Sequence, residues 1–182
     1  MRRPVSALLM AGLVAGFLAG CAATPRGRLP GPVPSGVEFR PAPDDAPPAP
    51  ALTVELTDGT TLDLAEQWDE RPVALVFFET WCTRCADQQG PINDVVDEYE
   101  DEVLFVGVAN LSEPADVAAY VEENDITYPV AADPTGDAWL MYAVAEAPLV
   151  ALVSKGGSLL RGWPEGVTGQ ELSTTIADLA VR

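Results

Sequence analysis

The chain has 182 residues, 48% of them hydrophobic and 21% charged, which suits one packed domain with extra segments. Its net charge of -18 repels phosphate groups, so nucleic-acid binding is excluded and electrostatic adsorption to anionic lipid is disfavoured. There is no histidine and there are three cysteines, a poor inventory for a metal protein.

In chain order, the first segment is "MRRPVSALLMAGLVAGFLAGC". Arg2 and Arg3 head a short apolar run that ends in small residues, the pattern of a secretory signal over residues 1–20. The run is short for a spanning helix. Leu18-Ala19-Gly20-Cys21 resembles a bacterial lipobox, which implies lipidation of Cys21 after cleavage. An uncleaved anchor helix that ends in cysteine is the alternative. Acyl chains contribute roughly 0.8 kcal/mol per buried methylene, so two or more anchor stably. Residues 24–50 hold more than half of the 17 prolines and read as a tether, placing the domain at residues 51–182.

"LTVELTDGTTLDL" alternates apolar and polar residues around Asp58-Gly59, a hairpin signal. "RPVALVFF" is apolar throughout and predicts a buried central strand. A helix is expected from Cys82 to about Glu100, with Ile92, Val95, Val96 and Tyr99 on one face and a kink at Gly90-Pro91. "EVLFVGVAN" predicts a second buried strand and "EPADVAAYVEENDI" an amphipathic helix with Pro114 in its first turn. A short strand and helix follow in "YPVAADPTGDAWLMYAV". "PLVALVSKGGSLLRGW" reads as a hairpin about Gly156-Gly157, and a last helix starts near Thr168. The alternation predicts an α/β fold, a mixed sheet covered by helices.

With Cys21 carrying lipid, the domain keeps two thiols, in "FFETWCTRC". Two cysteines without histidine make a poor zinc site. As a structural staple, a bridge closing so short a loop removes little denatured-state entropy. Redox exchange fits better. Cys82 stands at a strand-to-helix junction, where N–H groups and the helix dipole stabilise a thiolate. Cys85 is one turn further on the same face, placed to attack a mixed disulfide on Cys82.

Trp81-Cys82-Thr83-Arg84-Cys85 after "VALVFF" resembles the thioredoxin superfamily, and most closely the membrane-anchored TlpA/ResA-like family. The likeness extends over most of residues 51–182. It implies a thioredoxin-like fold with an N-terminal hairpin and an added β-α unit near residues 102–125. It implies thiol-disulfide exchange at the outer face of the bacterial cell membrane, with Cys82 as nucleophile and Cys85 as resolving thiol. It also places a cis peptide at Ala147-Pro148, facing the cysteines. A proline there that only begins a strand is the alternative.

The pattern departs from the family at several positions. Arg84 replaces a common proline, and a cation there would lower the thiolate pKa. Glu79 replaces a small residue; it is either a solvated loop acid or a proton acceptor for Cys85. Gln88 stands where a glutamate is common, and Val76 where thioredoxin has a buried acid. Ala147 is smaller than the usual residue before the proline. Trp81 either shields the disulfide and meets substrate or packs at the rim.

The resemblance implies a lipid-anchored disulfide reductase acting on protein thiols and disulfides as a monomer. It would be fed by a membrane thiol transporter and need no cofactor or metal beyond the cysteine pair. A non-catalytic thioredoxin-like binding lipoprotein is the first alternative. A thiol peroxidase is the second, weakened because Thr80 lies only two residues before Cys82.

Overall fold

The computed structural model describes residues 27–182, so the expectations for residues 1–20 and for Cys21 lie outside the described residues. The strands are β1 (Thr53–Leu56), β2 (Thr61–Asp63), β3 (Val73–Phe78), β4 (Leu104–Asn110), β5 (Val130–Asp133), β6 (Leu149–Val153) and β7 (Leu159–Pro164). The helices are α1 (Leu64–Trp68), α2 (Thr83–Glu98), α3 (Pro114–Glu123), α4 (Asp137–Met141) and α5 (Gly169–Leu179). The seven strands form one sheet in the order β2-β1-β5-β4-β3-β6-β7. β3, β4 and β5 run parallel, and β1, β2, β6 and β7 pair antiparallel around them. This is the expected mixed thioredoxin-like sheet.

Every side chain of β3 is buried, as a strand with neighbours on both edges and helices on both faces requires. Successive strand residues face opposite ways. Phe77 meets Trp139 and Tyr142, so α4 covers its face. Phe78 stacks on Tyr120 at 4.7 Å between ring centres, so α3 covers the other. α2 lies on the Phe78 side as well. Its Gln89 is buried, and the Tyr128 hydroxyl donates to Gln89 Oε1 at 2.7 Å. α5 packs against α2. Gly107 in β4 leaves room for the side chains packed over it, since a Cβ there would meet Phe78 and Val130 at 3.0 Å and Tyr128 at 3.2 Å.

Three local features differ from the expectations or go beyond them. α1, five residues capped by the Asp63 carboxylate, was not foreseen. α2 continues through Pro91 as one helix. Residues 27–50, expected as a tether, lie along the domain. The Gly27 N–H donates to the Thr127 carbonyl, Phe39 and Pro48 bridge to Val181 and Ser158, and Ala49 is buried. Arg40 Nε donates to the carbonyls of Ala177 and Val181. A proline-rich strand lacks N–H groups for a ladder but can still accept hydrogen bonds and bury small apolar groups.

Candidate active site

β3 ends at Phe78 and α2 starts at Thr83, with Trp81 and Cys82 in the turn between. Cys82 is the N-cap residue of α2, with extended backbone at φ -82° and ψ 102°. It is bonded to Cys85 as a disulfide, with Cα atoms 5.2 Å apart. Cys85 is 1% exposed, whereas Cys82 is half-buried. The sulfur a partner can reach is therefore that of Cys82. The Cys85 N–H donates to Cys82 Sγ at 3.1 Å. After reduction that donor and the helix N-terminus would both stabilise a Cys82 thiolate.

The antiparallel register of β3 and β6 pairs Phe77 with Leu149. One step further along that register, Pro148 comes beside Phe78, four residues before Cys82. The Ala147-Pro148 peptide is cis. Arg84, expected as a cation beside the thiolate, directs Nη2 to the Ala147 carbonyl at 3.2 Å. Arg84, one of the two residues between the cysteines, thus holds the loop before the proline.

Gln88 is four residues after Arg84 and so lies on the same face of α2. Its Nε2 donates to the Glu165 carbonyl at 3.3 Å, and the Val167 N–H donates to its Oε1 at 3.1 Å. The loop it holds follows β7. Glu165 and Gly166 both have positive φ there, and a Cβ on Gly166 would collide with the Gln88 amide. A glutamate at position 88 could not donate in its charged form. In the sequence Gln88 reads only as a residue standing where a glutamate is common; its helical spacing from Arg84 is the signal for a paired role.

Glu79 sits at the end of β3, and Asn110 Nδ2 donates to its Oε1 at 3.4 Å. Burial pushes the Glu79 carboxyl above its ordinary value, and the Asn110 hydrogen bond offsets part of that rise. Next to it the Thr80 and Ser112 hydroxyls lie 3.3 Å apart, and Ser112 Oγ donates to the Asn110 carbonyl. Asn110 and Ser112 carry no pattern in sequence and were not foreseen, and Thr80 stands there only as a poor match to a peroxidase threonine. Beneath α2, burial pushes the Tyr128 phenol up, so it remains a neutral donor to Gln89. Trp81 is 71% exposed, and Trp68, Trp139 and Trp163 are buried. The structure thus brings Cys82, Cys85, Trp81, Arg84, Ala147, Pro148 and Glu79 to one end of the sheet.

A model of the AhpC/TSA family matches residues 46–162. The chain is 30% identical over 105 residues to a thioredoxin-like protein of Haemophilus influenzae, covering 58% of this chain and 62% of that protein. It is 26% identical over 115 residues to the thiol-disulfide oxidoreductase ResA of Bacillus thuringiensis, covering 62% and 65%. The chain therefore spans just under two thirds of the length of these curated relatives. In fold it is similar to the pneumococcal exposed lipoprotein thioredoxin of Streptococcus pneumoniae, with a TM-score of 0.64 at 23% identity over 71% of this chain and all of that one. With the family match lying across the strand, cysteine pair and helix described above, the chain belongs to the AhpC/TSA family of thioredoxin-like proteins, with ResA-type proteins among its relatives.

Proposed function

We propose that the chain is a thiol-disulfide oxidoreductase working as a disulfide reductase outside the cytoplasm, held to the membrane by lipid on Cys21. The observation that carries the chemistry is the pairing of an accessible Cys82 with a buried Cys85 at the start of α2. In the reduced protein the Cys82 thiolate attacks one sulfur of a partner disulfide. The partner's S–S bond breaks, a mixed disulfide forms, and the partner's other sulfur leaves as a thiolate. Cys85, deprotonated, then attacks Cys82 Sγ. This releases the partner as a dithiol and restores the Cys82–Cys85 disulfide, so two electrons have moved to the partner. A dithiol donor, in this reading a membrane transporter, reduces the pair again. Arg84 and Gln88 keep the flanking loops in register with α2, and Trp81 and Pro148 offer apolar contact to the partner.

The exposed lipoprotein among the similar folds supports the location, the oxidoreductase name of the ResA relatives supports the chemistry, and the direction follows from the resemblance to the TlpA/ResA-like family alone. The decisive measurement is the reduction potential of the pair, by equilibrium against a thiol buffer. A value near that of thioredoxin, about -270 mV, is expected, and one near about -120 mV would reverse the electron flow. Lipid mass on Cys21 after expression in a competent host tests the anchor. Its absence would remove the membrane from the proposal.

A further inference from the structure

We infer that the disulfide end of the sheet docks a cationic polypeptide whose residues beside the reacting cysteine are large and apolar. This deepens the oxidoreductase reading and rests on it.

The described residues include four large hydrophobic side chains that stand exposed: Trp81, Leu111, Leu140 and Met141. All four lie on segments that leave one end of the sheet. Trp81 follows β3, Leu111 follows β4, and Leu140 and Met141 close α4, which follows β5. Three parallel strands in succession put those segments side by side. The Thr80–Ser112 contact joins the first two, and the Leu111 N–H donates to the Asp133 carbonyl, joining the second to the approach to α4. Among the described residues the other large apolar side chains are at least partly buried, so this clustering around the reactive disulfide marks an interaction surface.

Charge selects the occupant. Glu113, Asp116, Asp137, Glu146 and Glu165 are exposed on the loops and helix starts of the same end. Among the described residues none of the five has an ion pair. Among the described residues Arg84 is the one cation carried there, and its guanidinium is engaged by the Ala147 carbonyl. An acidic rim around an apolar patch draws in a partner of opposite charge and speeds its encounter. It opposes a second copy of this chain, which would bring the same rim of carboxylates against itself.

The test uses the full-length oxidised chain and two fluorescent peptides with serine in place of cysteine. One has lysines and leucines around the serine; the other has glutamate for each lysine. Anisotropy titrations at low and high salt are expected to favour the cationic peptide by on the order of tenfold, with the gap closing as salt screens the rim. Leu111→Ser with Leu140→Ser should weaken that binding by about tenfold, and Glu113→Gln with Glu146→Gln should narrow the gap. Equal affinity for the two peptides, or no change in these variants, would overturn the inference. So would a dimer in sedimentation velocity that Leu140→Ser dissolves. A cysteine-bearing disulfide form of the cationic peptide separates the two readings. Selective binding with no exchange would sink the reductase and keep the docking surface; exchange without peptide selectivity would do the reverse.

Discussion

Where β3, β4 and β5 finish, the molecule leaves a disulfide, an exposed tryptophan and three exposed aliphatic side chains, and its backbone is held by side chains from α2. Where those strands begin, it is closed. Arg71, 3% exposed, donates to the carbonyls of Asp101 and Gly31 and so ties the lead into β4 to residues 27–50. Phe39 packs at that end beneath Lys155, whose ammonium lies 5.4 Å from the ring centre. Both ends satisfy loop carbonyls with arginine. At the closed end the arginine is buried and its partners are far apart in sequence. At the open end Arg84 is exposed and its partner, the Ala147 carbonyl, belongs to the cis Ala147-Pro148 peptide. Burial turns the first contact into stability, and exposure leaves the second free to serve positioning.

Substitutions at the two ends should give opposite phenotypes. Cys82→Ser should lower disulfide-exchange turnover by at least about three orders of magnitude, since it removes the nucleophile. Its urea midpoint should match that of the wild type when both are measured reduced. In Cys85→Ser, mixed disulfides should accumulate on Cys82 and be visible by mass spectrometry. If turnover proceeds normally in either variant, the chemistry lies elsewhere and the open end loses its meaning.

Arg71→Ala reverses the pattern. Two partly buried carbonyls lose a charged donor, which should cost about 1.5–3 kcal/mol in denaturant unfolding. The reduction potential should stay within error of the wild type. A shifted potential would show that the closed end communicates with the site.

Gly166→Ala probes the loop held by Gln88. The residue has φ +88°, and a Cβ would strike the Gln88 amide. Strain and the lost pair of hydrogen bonds should cost about 1–3 kcal/mol. Because this loop flanks Pro148, the rate with a protein disulfide should fall along with stability. A variant that loses stability alone would assign Gln88 to folding only.

The two ends also differ in how far the sequence reveals them. The hairpin, the buried strands and the longer helices follow from local period and turn residues, and they stand within a few residues of expectation. Cys82 and Cys85 are legible because strand, cysteine pair and helix adjoin in sequence. Pro148 came from resemblance, since nothing local distinguishes it from a proline opening a strand. α1 was missed because five residues carry too little period to read. The packing of residues 27–50 was missed because it rests on contacts such as Arg40 to Val181, which join opposite ends of the domain. Arg84 and Gln88 were visible as residues, but their partners are backbone carbonyls and N–H groups, which leave no signature in side-chain identity.

Glu79 is the smallest and sharpest test of the open end. Its carboxyl is raised above the ordinary value, with burial the main cause and the Asn110 hydrogen bond acting against it. A raised folded value means that the protonated acid is the form the fold prefers. Its contribution is present in full below the unfolded value and is lost as pH rises through the folded one. Glu79→Gln keeps the shape and cannot ionise. The stability difference, variant minus wild type, should therefore increase as pH rises through the upper carboxylate range and then level off. The group is mostly solvated, so the change should be a small fraction of the Arg71 effect. If Glu79 also takes the Cys85 proton, the variant's rate of mixed-disulfide resolution should lose its dependence on pH in the same range. A pH step in stability with no step in resolution would leave Glu79 a half-buried loop acid, and Cys85 would then give its proton to solvent.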